Sequence, residues 1–106
     1  MAEETLMREA KKLRIRVRDY LEEERSFMKS LNLFLDKIEE LDNKVHKADV
    51  IPEREEMYKL HIGVYEALSD VLNKLSKVDH ERSHMPESLG TLLTSMEKEF
   101  LKVLCC

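Results

Sequence analysis

Two histidines of this chain have a spacing that can bind a metal. His80 and His84 are four residues apart, which on a helix directs both imidazoles to one side, as zinc ligands often are. Both lie in a polar run that ends at Pro86, and no third ligand is close in the sequence. We therefore expect no metal site here.

Other chemical signals are equally sparse. Adjacent acids such as Glu39 with Glu40 resemble solvated helix surface, because acid–base catalysis needs carboxylates that face each other across a cleft. The sequence contains no glycine-rich phosphate loop, nucleophile elbow or Cys-x-x-Cys motif. We expect no cofactor and no hydrolytic or transfer chemistry.

One carboxylate interrupts an otherwise apolar pattern. Positions seven apart on a helix differ by only about 20° around its axis, so Val17, Glu24 and Leu31 lie nearly in line. Glu24 therefore occupies an apolar stripe, between Leu21 and Phe27. Two interpretations stay open: the carboxylate is solvated or paired with a basic residue of another helix, or it faces a partner that supplies a donor.

Composition limits the elements that can position these residues. The 106 residues include only two glycines and two prolines, too few for the turns of a β or α/β domain, so we predict an all-α chain. A net charge of −4 argues against nucleic acid binding. No apolar run long enough for membrane insertion and no signal-peptide core are present. The only cysteines, Cys105 and Cys106, are adjacent, which favours a reducing, cytoplasmic location.

Hydrophobic periodicity predicts three main helices. The first extends to Val45, the second opens at Pro52 and the third follows Pro86, with connections at 46–51 and 79–86. A first helix of about 40 residues would be about 60 Å long, whereas a compact domain of this size is only about 35 Å across. We therefore expect an elongated helical bundle with part of its apolar stripe uncovered.

The first helix also carries a family motif, formed by an apolar residue, two acids, an aromatic–apolar pair and a leucine: Leu21, Glu23, Glu24, Phe27, Met28 and Leu31. This motif resembles the opening helix of the Dbl-homology (RhoGEF) domain, and the following Asn32-Leu33 is most like its son-of-sevenless branch. Residues 57–68 are similar to the second helix of that family. Residues 88–93, with Gly90, are similar to the start of the next helix, and the resemblance covers about 15–104.

The resemblance implies a function without covalent chemistry. Dbl-homology domains are the exchange modules for Rho-family GTPases, and the family glutamate that matches Glu24 contacts the switch I region. Glu23, Glu24 and Phe27 are accordingly the expected GTPase-binding residues, with a Rho- or Ras-family small GTPase as the partner. Enzymatic activity would at most be non-covalent nucleotide exchange.

The chain also departs from the family pattern. The long helix with the Leu-x-x-Pro-x-Gln-Arg stretch is absent, so residues 1–106 are expected to form a single partial domain, weak or inactive in exchange. The missing half of the exchange domain would cover the exposed stripe. The sequence is equally consistent with a regulator that docks on this half of a full-length relative. The alternative from another class is a self-associating helical interaction protein.

Overall fold

The described part of the chain, residues 2–45 and 52–105 of a computed structural model, consists of two α-helices. Helix α1 comprises Ala2–Val45 and helix α2 comprises Arg54–Cys105. The all-α prediction is confirmed for these residues, as is the long first helix, which no glycine or proline interrupts. The predicted connection at 46–51 lies outside the described residues.

The prediction of three main helices is wrong, because the expected loop at 79–86 is helical and α2 continues through Pro86. A proline inside a helix cannot donate a hydrogen bond to the preceding turn, and its ring crowds that turn. This local rule predicts a helix break at Pro86. The structure shows that the surrounding sequence overrides it.

Several local interactions support the helix on the N-terminal side of this proline. The Ser83 hydroxyl donates to the carbonyl oxygen of His80 at 2.7 Å, and Arg82 lies 3.7 Å from the Asp79 carboxylate. The rings of His80 and His84 meet edge to face with centroids 4.8 Å apart. The zinc-like spacing of the two histidines thus produces a ring contact in this structure.

The second helix begins two residues later than predicted. Pro52 precedes it, and the Glu53 carbonyl accepts the first helical hydrogen bond from the Met57 amide at 2.9 Å. Glu55 and Glu56 lie in the first turn, where negative charge is favourable near the helix N-terminus.

The chain divides into two compact units. Unit 1 contains Met1–Glu22 with Val78–Cys106, and unit 2 contains Glu23–Lys77. In unit 1, the Ser95 hydroxyl donates a hydrogen bond to the Glu9 carboxylate. Across the described residues of both units, no helix has a stretch apolar and long enough to cross a membrane.

Unit 2 is an antiparallel helix pair, as its contacts show by running in opposite directions along α1 and α2: Ser30 with Asp70, Lys37 with Gly63, and Lys44 with Glu56. Its inward positions alternate at three and four residues, the spacing of coiled-coil packing. Among its described side chains, Ser30, Ala67 and Val71 are buried. The most deeply buried positions of the seam are therefore occupied by small side chains.

Candidate functional site: an uncovered apolar face on unit 2

A second set of apolar residues in unit 2 points away from the seam. We call these eight residues the apolar face: Met28, Leu31, Leu35 and Ile38 of α1, with Tyr58, Tyr65, Leu68 and Leu72 of α2. All except Leu31, which is half-buried, are exposed. Tyr65 is the most exposed of them, at 67%.

Heptad geometry places the two halves of this face on the same side of unit 2. Phe27, Ser30 and Phe34 occupy inward positions on α1, and Met57, Leu60 and Val64 do so on α2. On each helix, every residue of the apolar face comes one position after an inward residue in the sequence. In an antiparallel pair, positions that follow the seam on one helix lie beside the equivalent positions on the other. The two rows therefore form one continuous surface.

The other side of the seam is mainly polar. It presents Ser26 and Glu40 from α1 and Asp70 and Lys77 from α2. Leu33 is the exception on this side, at 49% exposure, and a single exposed leucine needs no special explanation. Unit 2 is thus apolar on one side and polar on the other.

The three residues predicted to bind a GTPase all lie in α1 of unit 2 and are half-buried. Glu24 occupies the same heptad position as Leu31 and Ile38, so it lies at the end of the apolar face. Glu23 and Phe27 have inward positions and face the seam. The structure thus brings Glu24, of the three, to the uncovered surface.

The apolar periodicity of α2 predicts a stripe that includes Leu68 of the apolar face, but the rest of the outward row is missing from it. Other members of the stripe are Met57, Val64 and Val71, all of which face inward. Tyr58, Tyr65 and Leu72 follow these residues by one position and repeat every seven residues. That second repeat was the available signal, because a helix with apolar residues on two adjacent faces has a wider apolar surface than one partner helix can cover.

A partly buried hydrogen bond joins the two helices of unit 2. The Ser30 hydroxyl, which is buried, donates to the Asp70 carboxylate at 2.6 Å. Hydrogen bonds to charged groups contribute about 1.5–3 kcal/mol, more than bonds between neutral groups. This bond helps to set the register in which the apolar face is assembled.

Ser30→Ala should therefore lower the free energy of unfolding by about 1–2 kcal/mol, because the Asp70 carboxylate loses its donor. Urea denaturation followed by circular dichroism measures the change. Ser76→Ala, at an exposed position of the same unit, is the matched control and should have an effect below about 0.5 kcal/mol. Equal stabilities for Ser30→Ala and the unmodified chain would show that the bond contributes nothing.

Unit 1 contains a surface cleft of mixed charge. Lys12, Arg16 and Glu9 line it from α1, and His84 and Glu87 from α2. These groups include no activated nucleophile with a base beside it, and no set of three metal-ligating side chains occurs among the described residues. The arrangement suits a solvated surface, so the apolar face is the stronger candidate.

Gly90 lies within α2 in unit 1, where a helix interior disfavours glycine by about 1 kcal/mol relative to alanine. A Cβ atom built at this position has no heavy atom within 4 Å. Packing against the described residues therefore does not require glycine here.

Searches against family models, curated proteins and solved structures find no match to the chain.

Proposed function

We propose that this chain binds a small GTPase of the Rho or Ras family as a partial Dbl-homology-like module in the cytoplasm. The observation that carries the proposal is the position of Glu24, a half-buried carboxylate at the end of an exposed apolar face. An acid beside uncovered apolar side chains suits a partner that combines an apolar surface with a hydrogen-bond donor. The motif of Glu23, Glu24 and Phe27 adds the family resemblance.

Nucleotide exchange by such a module would make or break no covalent bond. A protein that binds the nucleotide-free GTPase more tightly than the loaded form accelerates nucleotide release, because binding and release are thermodynamically linked. The Leu-x-x-Pro-x-Gln-Arg stretch that marks the long GTPase-contacting helix of the family does not occur among residues 1–106. We therefore expect binding with little or no exchange.

Glu24→Ala should weaken binding to a nucleotide-free GTPase about tenfold or more, as loss of a charged contact that is desolvated in an interface typically does. The partner is first selected by pull-down against a panel of nucleotide-free small GTPases, and the affinity is then measured by titration. Glu22→Ala is the matched control, because Glu22 is an exposed acid two residues away. Its affinity should match that of the unmodified chain.

Two results would contradict this proposal. The first is failure of every GTPase in the panel to bind the unmodified chain. The second is an equal loss of affinity in Glu22→Ala and Glu24→Ala, which would indicate general electrostatic attraction. A nucleotide-release assay with the selected GTPase also tests the expected weakness of exchange, since acceleration like that of a complete exchange domain would contradict it.

A second candidate function is self-association as a helical interaction protein. The specific observation that favours it is the extent of the apolar face, which is larger than the isolated exposed residues normal for a monomer surface. The two candidates make different predictions for the purified chain, because self-association needs no GTPase. The mass of the chain in solution distinguishes them.

A further inference from the structure

The size of the apolar face of unit 2 matches one side of a stable protein interface. Seven of its eight side chains are exposed, including Leu35 at 60%. Together they offer on the order of 800 Å², which is what one partner contributes to an interface of standard size. Two tyrosines, a residue type enriched at interfaces, lie within the face.

The two ends of the face differ in charge. Glu24 lies at one end of the α1 row, and His61 occupies the equivalent heptad position on α2, near the other end. The Nδ1 atom of His61 is 2.7 Å from the Met57 carbonyl oxygen, to which it can donate. With Nδ1 donating, Nε2 of the neutral ring is an acceptor, so His61 brings no negative charge to the face but offers a carboxylate no second donor.

These features distinguish two ways of stacking one face on another. If two copies run in the same direction, Glu24 lies at the level of the partner's Glu24, and the like charges repel. If they run in opposite directions about a two-fold axis near Leu31, Glu24 lies at the level of the partner's His61, which carries no negative charge to repel it. Either direction can be generated by a two-fold axis, so the contact is isologous and closed in both cases, as in most homodimers, and the charges decide between the directions.

We propose that the apolar face of unit 2 binds the same face of a second copy of this chain, with the two copies antiparallel. The two copies of unit 2 then form a four-helix arrangement. The two apolar faces become its core, and the seam of each copy lies to one side of that core. This inference rests on the second candidate function and specifies the surface and the direction that self-association uses.

Leu35→Glu tests the surface. It places two carboxylates in the proposed dimer core, so the dimer should dissociate at least about a hundredfold more readily, given the penalty for burying unpaired charge. Leu33→Glu is a closely matched control, since this leucine lies two residues away on the polar side and is similarly exposed. Sedimentation velocity of the full chain under reducing conditions measures the dimer dissociation constant, and circular dichroism verifies helix content.

Tyr65→Glu provides the same test from α2 if Leu35→Glu loses helix content. We expect the unmodified chain and Leu33→Glu to be dimers, and Leu35→Glu and Tyr65→Glu to be folded monomers. A dimer that persists in both of these variants would overturn the assignment to this face while leaving self-association intact. A monomeric unmodified chain at several hundred micromolar would overturn both, whereas the pull-down with nucleotide-free GTPases tests the first candidate function separately.

A charge exchange tests the direction. His61→Glu should weaken the dimer about fivefold, because a carboxylate then lies at the level of the partner's Glu24. Adding Glu24→Lys to His61→Glu should restore the affinity of the unmodified chain. If the second substitution weakens the dimer further, the antiparallel arrangement is wrong.

Discussion

Replacing Pro86 with alanine is expected to stabilise the chain by about 2 kcal/mol. Pro86 lies inside α2, with more than a full turn of helix on either side. Proline in a helix interior is about 3 kcal/mol less favourable than alanine. Part of this gain is lost because alanine gives the unfolded chain more conformational entropy, which stabilises the unfolded state by about 0.4–1 kcal/mol. Pro86 is exposed, so its removal leaves no cavity.

Urea denaturation monitored by circular dichroism measures this stabilisation. Pro52→Ala is the control: Pro52 precedes α2, so alanine restores no helical hydrogen bond there and should have a neutral or slightly destabilising effect. A neutral or destabilising effect of Pro86→Ala would instead indicate a helix that begins at Pro86, where proline suits the first turn. Backbone chemical shifts of residues 79–85 would then be non-helical.

Val78→Asp is expected to destabilise the chain by about 4 kcal/mol or more. Val78 is 0% exposed, the most buried side chain in the described residues. A carboxylate at this position would lose its hydration, and burying an unpaired charge is among the most destabilising single changes. Domains of this size have a total stability of about 5–15 kcal/mol, so most of the folding free energy would be lost.

Val103→Asp is the matched control, since it makes the same change at a valine of the same helix that is 74% exposed. Its effect should stay within about 0.5 kcal/mol. Thermal denaturation should show a much lower midpoint for Val78→Asp and an almost unchanged one for Val103→Asp. Similar midpoints for the two variants would show that Val78 does not lie in a desolvated position.

The local rule that proline ends a helix fails at Pro86, since α2 continues through it. Inward positions keep the same alternation of three and four residues on both sides of the proline: Val78, Glu81, Met85, Ser88 and Leu92. Continuous packing along this line offsets the missing hydrogen bond. The periodic pattern was therefore a better guide to α2 than its proline.

The candidate site was only partly predictable for a related reason. Glu24 stands out in the sequence because it interrupts an apolar stripe, and the structure places it at the end of the apolar face. Tyr58 and Tyr65 show no such interruption. Whether these tyrosines are exposed depends on which of two neighbouring apolar rows packs against α1. The sequence of α2 alone does not determine which row that is.

The sequence by itself determined the helical class, the long first helix and the anomaly of Glu24, because turn residues, periodicity and charge are local properties of the chain. Tertiary structure alone decided that α2 continues through Pro86 and that outward rows of both helices share one side of unit 2. Register is the physical reason. It depends on contacts between residues distant in sequence, such as Ser30 with Asp70, which no periodicity within one helix specifies.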